Sequence, residues 1–138
     1  MFAKYILLDP VEHELRSIDQ VWDALDRLDG DSCSILIVAE RPPIPGVSEV
    51  PFSGRAIAIA GGAQDQFLCE AFEDGETEPI RIRNPDVPKS HAESVLLRRG
   101  ELEEFDRHWI VGRPIVERAL KAFAECGELD KDLIWERL

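Results

Sequence analysis

Residues 55–83, RAIAIAGGAQDQFLCEAFEDGETEPIRIR, decide the fold class. Arg55 to Ala60 alternates alanine with isoleucine, which is the pattern of a strand. Gly61-Gly62 breaks it. Phe67 to Phe72 is a second extended run, and Asp74-Gly75 is a turn after it. Pro79 to Arg83 alternates Ile80 and Ile82 with Arg81 and Arg83, a half-buried strand with a basic outer face. Strands grouped together between two helices argue for an antiparallel sheet.

Working outward toward the N-terminus, Arg41 to Pro51 holds four of the nine prolines (Pro42, Pro43, Pro45, Pro51) and reads as a stiff loop. Ser32 to Ala39 contains the β-branched run Ile35-Leu36-Ile37-Val38, a buried strand. Before it, Ile18, Val21, Trp22, Leu25 and Leu28 recur at helical spacing, with Asp19, Asp23, Asp26 and Asp29 on the other side. Ser17 and Gln20 form the S-x-x-Q capping box, and Gly30 is placed to stop the helix. Phe2 to Leu8 is a strand ended by Asp9-Pro10, and His13 is expected in the loop that follows.

Toward the C-terminus, Asn84 to Pro88 is a proline-rich loop. Ser94 to Leu97 and Glu101 to Phe105 read as a hairpin turned at Arg99-Gly100. A second helix carries Pro114 in its first turn, an apolar stripe of Ile115, Val116, Ala119, Leu120 and Phe123, and Gly127 at its end. Leu133, Ile134, Trp135 and Leu138 make the tail too apolar to hang free, so it is expected to pack onto the sheet. The reading is an α+β fold. An antiparallel sheet of about five to six strands is covered by an N-terminal and a C-terminal helix, in one domain over residues 1–138.

The 138 residues carry 28 Asp and Glu against 16 Lys and Arg, a formal net charge of −12. Such a surface repels phosphate backbones and anionic headgroups, so neither nucleic acid nor membrane is an expected partner. It attracts a basic protein, although solubility alone also accounts for acidity. The first eight residues lack the layout of a secretion signal, and no apolar stretch reaches spanning length. Cys33, Cys69 and Cys126 form no paired or metal-binding pattern and suit a reducing compartment, so a cytoplasmic location is expected.

No catalytic constellation emerges. His13, His91 and His108 stand at no metal spacing, and the pattern G-x-S-x-G is missing. Gly61-Gly62 lacks the Lys-Ser/Thr pair of a phosphate loop. Glu70 with Glu73, or Glu103 with Glu104, could be nominated as acid and base, but among 28 carboxylates the choice has no specificity. The expectation is therefore no catalytic, cofactor-binding or metal-binding residue. The feature with a candidate role is the run Asp65, Glu70, Glu73, Asp74, Glu76 and Glu78, which contains no Lys or Arg and reads as a docking face for a basic protein. Arg81, Arg83, Arg98 and Arg99 are expected to neutralise nearby carboxylates.

The C-terminal third carries a more specific pattern. Ala119 and Phe123 lie on the last helix, and Gly127, Leu129, Leu133 and Trp135 follow as G-x-L-x-x-x-L-x-W. This pattern, with the chain length and the early Trp-bearing helix, resembles a family of bacterial immunity proteins that guard against polymorphic toxins, notably nucleic-acid deaminases. The resemblance implies a cytoplasmic, stoichiometric inhibitor that occludes the active site of one cognate toxin. Its matching residues look architectural. Two other readings stay open: a small enzyme or ligand-binding domain with a carboxylate-lined site, and a structural subunit of a larger complex.

Overall fold

The computed structural model describes residues 1–9, 11–42, 54–74, 78–89 and 93–137. Its elements are β1 (Tyr5–Leu8), β2 (Val11–Glu14), α1 (Ile18–Arg27), β3 (Ile35–Ala39), β4 (Ala56–Gly61), β5 (Phe67–Phe72), β6 (Ile80–Arg83), β7 (Ser94–Arg99), β8 (Glu101–Asp106), β9 (Ile110–Val111), α2 (Arg113–Cys126) and β10 (Ile134–Arg137). Short 3₁₀ turns occupy Ala63–Asp65 and Arg107–Trp109. The class is α+β, with two helices and an antiparallel sheet.

The sheet is larger than the expected five to six strands. Eight strands pair in the order β10-β6-β5-β4-β3-β1-β2, with β9 against the free stretch of β5, and β7-β8 forms a separate two-stranded sheet. Three strands account for the difference, and each joins through its backbone. Val11–Glu14, expected as loop, pairs with β1 from Leu8↔Val11 to Tyr5↔Glu14. Its side chains are all exposed, so it has no apolar signature to read. Ile110–Val111 pairs with Leu68 and Phe67. The tail does more than pack onto the sheet: Ile134–Arg137 pairs with Arg83–Ile80 and forms one edge. Leu138 and most of the loop Arg41 to Pro51 lie outside the described residues.

The pleat sorts side chains between two faces. Leu36 and Val38, Ile57 and Ile59, Phe67 and Cys69, and Ile82 point to the side that both helices cover. Helix α1 contributes Val21, Ala24 and Leu25, and α2 contributes Val116, Ala119, Leu120, Phe123 and Ala124. The aspartates of α1 stay outside. Gln20 Oε1 accepts the Ser17 N–H at 3.1 Å, completing the expected capping box. Gly127 closes α2 with φ +70°, its N–H bonded to the Phe123 carbonyl. The Phe2 ring stands edge-on to Phe123 at 5.6 Å and seals this core at the end of α2. Trp135 packs against its margin from β10, with Nε1–H donating to the Asp130 carbonyl at 3.1 Å.

The opposite face is covered by the β7-β8 hairpin. Leu97 and Phe105 are buried against Ala60, Leu68 and Ile110, with Val95 and Trp109 alongside. Cross-strand pairing places Val95, Leu97, Arg99, Glu103 and Phe105 on the inner side of this hairpin. The same pairing turns Leu96, Arg98, Leu102, Glu104 and Asp106 outward.

Candidate partner-binding surface

The acidic run from Asp65 to Glu78 is continuous in sequence and divided in space. Strand β5 separates its two ends by roughly 17–20 Å. Asp65 stands at one end, in the turn between β4 and β5. Glu73, Asp74 and Glu78 stand at the other. Glu76 lies outside the described residues. Glu70, between the ends, is only 4% exposed and is turned inward.

Glu70 is the centre of a buried ionic cluster. Its Oε2 accepts Arg81 Nε–H at 2.9 Å, and its Oε1 accepts Arg99 Nη1–H at 2.8 Å. Arg81 is its cross-strand neighbour on β6, while Arg99 arrives from the hairpin. Arg99 also donates to Glu103 at 3.0 Å. Both guanidiniums lie over the Phe105 ring, at 5.4 and 5.2 Å, and Arg81 also lies 5.8 Å from the Trp109 ring. A buried carboxylate needs such partners to stay charged. The cluster ties the hairpin to the sheet. Gly100 N–H adds a second tie by donating to Ser34 Oγ at 3.0 Å.

Arg83 and Arg98 also stand against carboxylates, as expected. Arg83 meets Glu136 at 3.1 Å, and Arg98 stands 3.9 Å from Asp31. Glu73 is half-buried against Arg55 at 3.2 Å, and the Arg55 guanidinium lies over the Phe2 and Phe123 rings. Asp74 and Glu78 are exposed. Asp65 is exposed as well, yet its Oδ1 accepts the Arg113 N–H at 2.9 Å. Gly112, the residue before α2, offers no side chain to cap that helix, so Asp65 satisfies the first turn from across the fold.

The β4-β5 turn carries the backbone strain of the described residues. Gln64 (φ 55°, ψ 34°) and Asp65 (φ 56°) are both left-handed, a region that side chains with a Cβ enter at a cost. The turn has no room to relax. A Cβ on Gly62 would stand 2.5 Å from the Leu28 carbonyl oxygen, and a Cβ on Gly30 would stand 2.5 Å from Ala63 N. The end of α1 and the turn are thus interlocked. Asp29 closes the intervening loop, accepting N–H bonds from Cys33 and Asp31 and the Ser32 hydroxyl. These bonds hold its carboxyl below the usual range.

Two shallow depressions flank this turn. One, of about 190 Å³, lies between Gly30, Gln64 and Gln66 on one side and Leu96, Leu97 and Leu102 on the other. The second, of about 220 Å³, lies between Asp65, Gln66 and Gly112 on one side and Val95 of β7 and Arg107 of the following 3₁₀ turn on the other. A third, of about 270 Å³, lies between β2 and α1. Each is smaller than the 300–1,000 Å³ typical of small-molecule sites. Among the described residues no three His, Cys, Asp or Glu stand together as metal ligands. His108 is buried with its ring 4.4 Å from Trp109, and its Nδ1 has no hydrogen-bond partner among the described residues. His13 lies exposed on β2, and His91 is outside the described residues. Among the described residues no helix is long and apolar enough to cross a membrane.

The described surface has shallow furrows, and the arginines beside them pair with carboxylates. The Imm1 family model (immunity protein Imm1) matches residues 9–137, and the chain belongs to that family of immunity proteins. It is thereby a toxin-inhibiting immunity protein that binds a cognate toxin. No curated protein matches the chain. The matched span takes in both helices and the C-terminal motif, where Phe123, Leu133 and Trp135 serve the core and its margin. Sequence alone does not assemble the ionic cluster around Glu70 as a unit. The available signal was one carboxylate inside the apolar run Phe67–Phe72, facing the arginines of Ile80–Arg83.

Proposed function

We propose that this chain inhibits a nucleic-acid-directed toxin, such as a deaminase or nuclease, by occluding its active site. The observation that carries the reading is the family match across residues 9–137. The charge of −12 supports it, because an enzyme that handles nucleic acid presents a basic groove that a polyanionic surface fills. Residues 1–138 act as one stoichiometric binding unit in the cytoplasm, without catalysis, cofactor, nucleic acid or membrane. Its setting is competition between bacteria.

The carboxylates of the 65–78 run contribute from two ends, Asp65 at one and Glu73, Asp74 and Glu78 at the other, with Glu76 of the same run included in the proposal. Their field accelerates encounter with a basic face. Co-expression with the toxin encoded by the neighbouring reading frame is the direct assay: cells survive with the chain and die without it. Raising ionic strength from about 0.05 to 0.5 M slows association by roughly tenfold or more if charge guides the encounter. An unchanged rate, together with no effect of Glu73→Lys and Glu76→Lys, removes the electrostatic part of the reading.

A further inference from the structure

We propose that the outward side of the β7-β8 hairpin, together with the strained Gln64 turn beside it, is the surface that grips the toxin. The proposal rests on the functional reading above and names the face that performs it. Among the described residues four large hydrophobic side chains stand well exposed: Met1, Val11, Leu96 and Leu102. Two of the four share the outer face of one hairpin, at 59% and 54% exposure, and both line the furrow against Gln64. Apolar groups displayed together beside a depression are the anatomy of an interface core.

The rim indicates the partner's chemistry. Glu104 lies directly across from Leu96, and Asp106 lies two residues on along the same face. Asp31 is 89% exposed next to Gly30, which lines the furrow; Asp29 lies in the same loop, and Asp65 in the Gln64 turn itself. Arg98 stands on the face itself, directly across from Leu102, with Asp31 3.9 Å away, and Arg107 faces Glu93 at 3.6 Å, so carboxylates outnumber guanidiniums here. The rim is thus negative around an apolar centre. Its complement is a protein surface with an apolar knob bordered by lysine or arginine, not a lipid, a nucleic acid or an equally acidic copy of this chain.

The face is also held ready. Glu70 with Arg99, and Ser34 with Gly100, fix the hairpin from beneath. Asp65 and the interlocked glycines hold Gln64 in its left-handed conformation at the crest between the two furrows. A prearranged surface loses little freedom on binding. Strain retained at an exposed crest fits a residue kept for contact. The far-end carboxylates then set the rate of encounter, and the hairpin sets the lifetime of the complex.

The test is surface plasmon resonance with the toxin domain from the neighbouring reading frame, using the full chain and a double variant, Leu96→Ser with Leu102→Ser. The expected loss of affinity is about 100-fold or more, carried by faster dissociation. Val11→Ser, the same change at an exposed site elsewhere, stays within about twofold of wild type. Wild-type binding that the double variant leaves intact overturns the proposal and spares the functional reading. Absence of wild-type binding overturns both. Sedimentation of the chain alone gives a further outcome: self-association abolished by the double variant makes this a homodimer face and overturns the proposal. Matched melting curves for both variants exclude misfolding as the cause.

Discussion

The two faces of the sheet are sealed in different ways. The helix side is carbon against carbon: Phe123, Leu120 and Val116 of α2 and Leu25 of α1 lie on Leu36, Ile57 and Ile59 with almost no exposure. The hairpin side closes over a charge, with Glu70 held between Arg81 and Arg99 and the Phe105 ring spanned by both guanidiniums. Burial of apolar area supplies stability without direction, whereas an ion pair in a low-dielectric setting fixes geometry at a high desolvation cost. The helix side therefore stabilises the fold. The hairpin side positions a surface.

Removing carbon from the helix side should have the largest effect. Phe123→Ala leaves a cavity beneath Phe2 and Arg55 and costs roughly 3–5 kcal/mol, lowering the melting temperature by on the order of 10 °C. Chemical denaturation reads the loss. A loss below about 1 kcal/mol would show that this core collapses to fill the gap, and the contrast between faces would fade. Cys69 gives an independent check on the same face, since burial pushes its thiol well up and keeps it protonated. A thiol reagent should modify exposed Cys126 at once and Cys69 only as fast as the protein opens.

Removing the charge from the hairpin side comes second. Glu70→Gln keeps the shape but leaves Arg81, 13% exposed, without its counter-charge, and should cost roughly 2–3 kcal/mol. Arg99 still has Glu103 and partial access to water, so the cost stays below that of a fully buried pair. Replacing both partners, Glu70→Met with Arg81→Met, should recover at least half of the loss, because apolar groups need no counter-charge. A double variant no better than the single one would mean that the cluster stabilises the sheet and does not merely aim the hairpin.

The same contrast decides what could be read from the sequence. Both helices were legible because their stripes, the capping box and Gly127 are local signals that core packing reinforces. The central strands were legible for the same reason. Strand β2 was not: Val-Glu-His-Glu has no buried side chain, and only backbone pairing to Tyr5–Leu8 defines it. The spatial arrangement of the acidic run also resisted. The acidic residues 65–78 looked like one patch because sequence proximity stood in for spatial proximity. An extended strand instead carried its ends apart and turned Glu70 inward, where Arg99, 29 residues away, completes its bonding.

Smaller effects separate stability from recognition at the β4-β5 turn. Gln64→Gly relieves a left-handed residue and should stabilise the chain by roughly 0.5–1 kcal/mol, read by denaturant unfolding. The same change removes the side chain at the crest, so affinity for the toxin should fall while the melting temperature rises. Movement of both in the same direction would assign the strain to the architecture of the turn, with Asp65 as the cap of α2, and not to contact.

The smallest expected change in stability belongs to the outer hairpin. Leu96→Ser and Leu102→Ser should each stay within about 0.5 kcal/mol of wild type, because side chains already more than half in water have little burial to lose. The inner neighbours set the scale: Leu97, one residue from Leu96 and 4% exposed, should cost about 2–4 kcal/mol as Leu97→Ala. The comparison turns chiefly on the direction of the side chain. If the outer leucines proved as costly as Leu97, the hairpin would be covered by part of this chain itself, and its outward face would be unavailable to a partner.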